Sequence, residues 1–317
     1  QAWKDKSIEH HFRIQRRTVS INDSQPNPAI SALRLRRMKE LLSEIDGGLK
    51  FIPSTGKVMN MKFLDLCCCP GGFSSYILGK NAKTQGVGIS LSVSDGGQEL
   101  ALEDHHRQRF QLLNGDLTYY QLGPTMIPNQ RLHDLPPQNN GQSFNLVILD
   151  GYQLRRRPSD SSLNNDRLLI SQIILALQTV KNGGNMLVRL PLPHKPVSAK
   201  IVYLLTIISE RVQRWKPKSM NADRGVFYAI ARGIGNGEQG PQIPTILRNF
   251  KELWADLTFG GEGGSSRCLN SKDLDFLITT DDLVRHHLRW LETFGRPLWR
   301  VQQIGMRALF KRNCPEH

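Results

Sequence analysis

Phe63-Leu64-Asp65-Leu66-Cys67-Cys68-Cys69-Pro70-Gly71-Gly72-Phe73-Ser74 carries more of the fold than any other stretch of this chain. A short apolar run bearing one acid reads as a buried strand. Small side chains follow it, and Pro-Gly-Gly then opens a helix near Phe73 to Lys80. Glycine lets a ligand approach the backbone, and the first turn of a helix presents N–H groups without intrahelical partners. Neither the phosphate loop GxxxxGK[ST] nor GxGxxG occurs, since Gly86-Val87-Gly88 stops short of the second. Such a turn without phosphate chemistry fits a ligand with a carboxylate, an amine and a nucleoside, which describes S-adenosylmethionine (SAM). Gly-Gly alone reads better as a bare strand-to-helix turn. Asp65, Pro70 and the later acids move the reading to a ligand site.

Outward from this turn, helical and strand-like runs alternate. Leu33, Met38, Leu41, Leu42 and Ile45 suit an amphipathic helix over Ser31 to Ile45, ended by Gly47-Gly48. Strand candidates are Met61 to Leu66, Gly86 to Ser90, Phe110 to Leu113, Phe144 to Leu149, Met186 to Leu190 and Val226 to Ala231. Helices are expected over Asp166 to Val180 and Ser198 to Ser209. The alternation predicts an α/β fold, a mostly parallel sheet flanked by helices with its ligand site at the strands' carboxyl ends. Three parts are expected: a basic N-terminal arm (1–30), the α/β domain (31–235) and a helical C-terminal extension (241–317). Gly233 to Gly240 reads as the linker, and the extension shows helical patterns at Ile246 to Leu257, Asp281 to Phe294 and Leu298 to Phe310.

The chain has 317 residues, 42 Lys+Arg against 28 Asp+Glu, a net charge of +14 and a pI near 9.8. That surplus favours a polyanion, because neutralised phosphates release counterions. The competing account is a solvated basic surface. The five cysteines form no CxxC pair and no zinc spacing, so no metal is expected. Contiguous Cys67, Cys68 and Cys69 inside an apolar stretch read as small buried side chains in a reducing, intracellular compartment. Cytoplasm and nucleus both fit, and because the chain begins at Gln1 an upstream segment addressing the mitochondrion stays open. No apolar run reaches the ~18 residues of a membrane span.

FLDLCCCPGGFSSYIL resembles the first motif of the FtsJ-like (RrmJ-like) ribose 2′-O-methyltransferases, DLxxxPGGF. The resemblance continues in family order through GVGISLS (86–92), NGDLT (114–118), FNLVILDG (144–151), GGNMLVRL (183–190) and KPKSMNADRGVFYAIARG (216–233). The Asp-Gly of FNLVILDG and the RPLWRVQ segment (296–302) are most similar to a divergent fungal branch. The resemblance implies a Rossmann-like SAM-dependent methyltransferase sheet with its last strand antiparallel, SAM as cofactor, and RNA as substrate. By matching position, Asp65, Cys67, Pro70, Gly71, Gly72 and Phe73 would line SAM, with Asp116 at its adenine. Ser90 stands where an acid usually meets its ribose, and Asp150 would border it as well.

The resemblance further implies a Lys-Asp-Lys-Glu tetrad that holds and deprotonates a ribose hydroxyl. Lys39 matches its first lysine and Asp150 its aspartate, but the central lysine falls on Arg189 and the glutamate near Gly225, with Asp223 the nearest acid. Guanidinium does not deprotonate in proteins, so Arg189 cannot be a general base. Three readings follow. Lys195, just past the strand, swings in; or Asp150 and Arg189 orient the substrate while proximity drives transfer; or the site binds SAM and RNA without turnover. Asp150 and Arg189 could also be a plain buried ion pair. Phosphate contacts are expected from Arg34, Arg36 and Arg37, from Arg155, Arg156 and Arg157 beside Asp150, from the arm's Arg13, Arg16 and Arg17, and from Arg214, Lys216 and Lys218.

Overall fold

The computed structural model describes residues 28–53, 60–136, 141, 143–152, 161–220 and 222–313. Seven strands form one sheet in the order β3-β2-β1-β4-β5-β7-β6. They are β1 Lys62–Leu66, β2 Gln85–Ser90, β3 Phe110–Asn114, β4 Phe144–Leu149, β5 Val180–Pro191, β6 Ser209–Trp215 and β7 Val226–Ile234. β1, β2, β3, β4 and β5 pair in parallel, while β7 runs antiparallel to both β5 and β6. Six strands therefore end along one edge of the sheet. The helices are α1 Pro28–Leu49, α2 Gly72–Lys80, α3 Asp104–Arg107, α4 Ser161–Thr179, α5 Pro196–Ile208, α6 Ile243–Phe259 and α7 Thr280–Asn313.

Both faces of the sheet are covered, and the two-residue alternation of strand side chains sorts the core into two layers. Phe63, Leu146, Ile148, Leu187, Tyr228 and Ile230 pack with Leu41, Leu42 and Ile45 of α1 and Phe73 and Ile77 of α2. Leu64, Leu66, Val147, Leu149, Val188, Phe227 and Ala229 face the other way, toward α4, α5 and α6. On that side Trp254 of α6 is fully buried, and its Nε1 donates to Ser171 Oγ of α4 at 3.1 Å. The C-terminal helices thus share the core of the sheet. Among the described residues no helix is long and apolar enough to cross a membrane.

Several elements differ from the sequence expectation. β6, Ser-Glu-Arg-Val-Gln-Arg-Trp, was not anticipated: it is a polar edge strand with few buried side chains. Lys181 to Gly184, just past the helix expected to run to Val180, lie inside β5, where Gly183 adopts φ 76°. Gly47-Gly48 lie within the last turn of α1 instead of ending it. The two helices expected on either side of Pro297 are one, α7. Proline supplies no N–H to the carbonyl four residues back. That carbonyl, Thr293 O, accepts from Arg214 Nη2 at a long 3.5 Å.

Gly72 sits where α1 and α2 meet backbone to backbone. A Cβ there would lie 2.5 Å from Leu35 O and 2.5 Å from Met38 Cβ, whereas a Cβ at Gly47 would meet nothing within 4 Å. Gly72→Ala is expected to lower stability by about 1–3 kcal/mol in urea titration, because two helix backbones must move. Gly47→Ala is expected to raise it by about 0.5–1 kcal/mol, since a helical glycine gives up more chain entropy than alanine.

Candidate functional site

At the carboxyl end of β1 the chain turns sharply. Cys67 takes φ 64°, with its N–H donating to Ile89 O of β2 at 2.7 Å, and Gly71 takes φ 102°, where a Cβ would press on Leu100 at 2.9 Å. The N-cap of α2, Gly71, has no side chain to satisfy the helix's first N–H groups. Asp65 supplies one: its Oδ2 accepts from Ser74 Oγ at 2.6 Å, and the Ser74 backbone N–H also bonds to it. Burial pushes the Asp65 carboxyl up to about 7, with Ser74 opposing and Asp150 and Cys69 adding to the rise. Asp65 is thus engaged by its own fold, Phe73 is wholly buried against Tyr228, and Gly72 serves the α1–α2 contact. These three candidates build the turn. Cys67, Pro70 and Gly71 follow β1, Ser90 ends β2, Asp116 follows β3 and Asp150 follows β4, so these candidates lie along the same carboxyl edge of the sheet.

The register of the sheet assembles a second cluster. Leu149 pairs with Val188, so the next positions, Asp150 and Arg189, fall side by side, and Arg189 lies opposite Tyr228 on β7. Alternation turns Asp150, Arg189 and Tyr228 to the α1–α2 face. Tyr228 Oη donates to Asp150 Oδ1 at 2.8 Å. Arg189 Nη1 stands 3.9 Å from the same oxygen, too far for a hydrogen bond, and its guanidinium lies 5.0 Å over the Tyr152 ring. Arg189 Nε is buried without a hydrogen-bond partner. Burial raises the Asp150 carboxyl, opposed by Arg189 and Tyr228. Gln172 of α4 holds both backbone groups of Gly151, accepting from its N–H at 2.8 Å and donating to its carbonyl at 3.3 Å. Neither Tyr228 nor Gln172 was among the sequence candidates. The visible signal for Gln172 was an amide inside the apolar run of that helix, a signal Gln178 shares.

Lys39, the expected first lysine of the tetrad, is engaged by an acid of its own. Lys39 Nζ pairs with Glu103 at 2.8 Å, and Glu103 also accepts from Ser75 Oγ at 2.9 Å. Burial works against Glu103, yet bonds from Lys39, its own backbone, Ser75 and His106 hold it down to about 2. Lys195 is exposed at the N-cap of α5. Gly225 is exposed, and the space nearest to it belongs to Leu192, 3.5 Å from where a Cβ would stand. Lys216, expected to meet phosphate, is buried and donates to the Arg224 and Val226 carbonyls; burial lowers it to about 8, with Asp223 opposing. Arg214 instead lies 5.3 Å over the Phe294 ring. Arg36 pairs loosely with Glu40 at 3.8 Å, Arg37 and Lys218 are exposed, and Arg34 is half-buried on α1. Arg13, Arg16, Arg17, Arg155, Arg156 and Arg157 lie outside the described residues.

Glu44 of α1 fastens the segment after β6. It accepts from Trp215 Nε1 at 3.1 Å, Lys218 N at 2.8 Å and Ser219 N at 2.9 Å, which together hold its carboxyl below the usual range against the effect of burial. An open groove at the opposite edge of the sheet, lined by Lys62, Gln85, Arg109 and Phe144, contains none of the candidates.

Three carboxylates converge on the turn. Burial pushes the Cys67 thiol up, and Asp116, Asp65 and Asp150 add to the rise, so all three act at one sulfur. Carboxyl groups gathered at such a turn suit a ligand bearing a sulfonium and an ammonium better than a pyrophosphate. Asp116 already caps Thr118, whose N–H and Oγ1 donate to its Oδ1 at 2.8 and 2.7 Å. A mostly parallel sheet with β7 reversed between β5 and β6, and this turn at its carboxyl edge, defines a Rossmann-like SAM-dependent methyltransferase fold. The chain belongs to the FtsJ-like methyltransferase family, whose model matches residues 41–234. Family members use SAM.

The chain is 26% identical over 218 residues to the cap-specific mRNA (nucleoside-2'-O-)-methyltransferase 1 of Danio rerio, a match covering 62% of this chain and 25% of that protein. It is 27% identical over 190 residues to the Homo sapiens protein of the same name, covering 55% and 22%. With the inactive cap-specific mRNA (nucleoside-2'-O-)-methyltransferase 1B of Caenorhabditis briggsae it shares 26% over 183 residues, covering 54% and 21%. These matches span about a quarter of the relatives' length. Among solved structures, a Plasmodium falciparum ribosomal RNA methyltransferase aligns with 62% of this chain and 97% of its own at 17% identity and a TM-score of 0.43.

An aspartate whose folded pKa is raised from 3.8 to about 7 contributes most to stability at low pH. Its contribution falls as pH rises through that interval and is constant above it. Asp65→Asn keeps an acceptor for Ser74 and cannot ionise. Its Tm relative to the parent protein is expected to rise between pH 4 and pH 8, by about 5 °C, in thermal unfolding. A pH-independent difference would mean that Asp65 is ionised throughout.

Proposed function

We propose that this chain transfers a methyl group from SAM to a ribose 2′-hydroxyl of RNA, with Asp150 and Arg189 as the groups that meet the hydroxyl. The observation that carries the reading is the Asp150–Arg189–Tyr228 cluster, set one strand away from the acid-lined turn. Cys67, Gly71, Ser90 and Asp116 are the residues that would border SAM. When bound, SAM supplies the methyl on a sulfonium, whose departure leaves a neutral thioether.

Asp150 is held by the Tyr228 hydroxyl at one oxygen, so it can accept a hydrogen bond from a ribose hydroxyl and orient the attacking lone pair. Its raised pKa makes it a better proton acceptor than an exposed aspartate. Arg189 stays charged and has a buried Nε with no acceptor, which suits an oxygen of the incoming nucleotide. Alignment by these two groups stands in for the missing lysine. RNA as substrate is supported by the charge of +14, and the names of the relatives make the mRNA cap the first substrate to try. The free thiols of Cys67, Cys68, Cys69 and Cys268 fit a reducing compartment, nucleus or cytoplasm.

A second reading has its own support: Arg189 in place of a lysine, Lys39 turned to Glu103, and a relative named as inactive. Under it the edge binds SAM and RNA without transfer. Labelled SAM incubated with capped, ribosomal and transfer RNA separates the two. Transfer to one of them is expected, falling at least about 100-fold in Asp150→Ala. Binding of SAM with no transfer to any RNA would leave the second reading in place.

A further inference from the structure

α7 carries a cationic stripe with a regular period. Arg285, Arg289, Arg296, Arg300, Arg307 and Lys311 follow one another at spacings of 4, 7, 4, 7 and 4 residues. Two superimposed 11-residue repeats result, and because 11 residues make three turns of about 3.67 residues each, the stripe stays on one side of the helix. At a rise of about 1.5 Å per residue it runs for about 39 Å. All six side chains are exposed, and among the described residues none makes an ion pair. Glu292 is the one acid that falls between them on this face; Asp281 and Asp282 sit in the first turn.

The opposite side of α7 is committed to the body of the protein. Leu283, Phe294, Leu298 and Leu309 are buried, and Phe294 packs edge-on against Phe227 of β7. Its position along the helix brings the stripe to the catalytic edge. Early in α7, His287 meets Tyr203 of α5; further on, the Trp299 ring lies 6.1 Å from that of His194, on the loop after β5. Later still, a Cβ on Gly305 would lie 2.7 Å from the Ala222 backbone and 2.8 Å from Asp223 N, on the segment that leads into β7. Both loops border the strand ends that bear Arg189 and Tyr228. The helix therefore climbs from the flank of the sheet to its catalytic edge with a row of cations facing out.

We infer that α7 is a track for the phosphates of single-stranded RNA, separate from the methyl-transfer edge and leading to it. Six unpaired cations in line complement a linear polyanion. A lipid surface is disfavoured because Leu283, Phe294, Leu298 and Leu309 are buried against the body, and the apolar residues left exposed on α7, Val284, Leu288 and Ile304, flank the stripe on different sides without forming one apolar face. The inference shares RNA with the reading of the site above but needs no turnover, so loss of methyl transfer leaves it standing.

The test measures binding of a fluorescent single-stranded RNA of about 20 nucleotides by anisotropy at several salt concentrations. Arg296→Gln/Arg300→Gln/Arg307→Gln is expected to weaken binding at least about ten-fold. The slope of log K against log salt should become shallower by about 2. Arg131→Gln/Arg211→Gln/Lys272→Gln removes the same charge from exposed positions elsewhere and is expected to change affinity less than about three-fold. SAM affinity by calorimetry should be equal in all three proteins. Photocrosslinking of the unaltered protein to 4-thiouridine RNA needs no variant, and its adducts are expected on peptides within 285–311. Equal losses in the two triple variants, or adducts only outside α7, would overturn the inference. So would phosphatidylserine vesicles outcompeting RNA for the stripe.

Discussion

Two-residue alternation across a parallel register is the constraint on which the rest of this molecule depends. Once Leu149 is opposite Val188, Asp150 and Arg189 must emerge together on the face covered by α1 and α2, and the reversed β7 places Tyr228 beside them. A slip of one residue would send Arg189 into the α4–α5 layer, where an arginine would stand among Leu190, Ile201 and Phe227. The apolar neighbours on both faces therefore enforce the polar cluster at the edge. The site needs no dedicated scaffold beyond the pattern that buries the sheet.

The altered tetrad changes the electrostatics of that edge more than its shape. A lysine in place of Arg189 could lose its proton in a buried setting, but guanidinium cannot, so the edge carries a permanent positive charge. Tyr228 adds a neutral donor to the same carboxylate. In the proposed reaction, proton transfer then falls to Asp150. Lys39, meanwhile, is spent on joining α1 to Glu103, ahead of α3. The cation is present at its expected position in the chain and is engaged by an acid the tetrad does not include.

What could be read from residues alone followed physical locality. β4 was legible to the residue because Phe-Asn-Leu-Val-Ile-Leu is apolar on both faces, as a central parallel strand requires. The first turn was legible as a sharp strand-to-helix turn because Pro70 and Gly71 act within one short segment. The packing role of Gly72 was not, because glycine next to a ligand and glycine between two helices look alike until the partner, here Leu35 and Met38, is in view. β6 was hidden by its edge position, which leaves Glu210 and Arg211 exposed. Pro297 masked the continuity of α7, since the carbonyl it leaves open is answered by Arg214 from another strand. The Lys39–Glu103 pair was hidden for the same reason, its members lying 64 residues apart.

Glu44 has a mechanical meaning. By accepting from Trp215, Lys218 and Ser219 it ties α1 to the start of the connection between β6 and β7. One carboxylate thus braces two elements 171 to 175 residues apart in the chain, and under the proposed function that brace is in place before any nucleotide reaches Asp150.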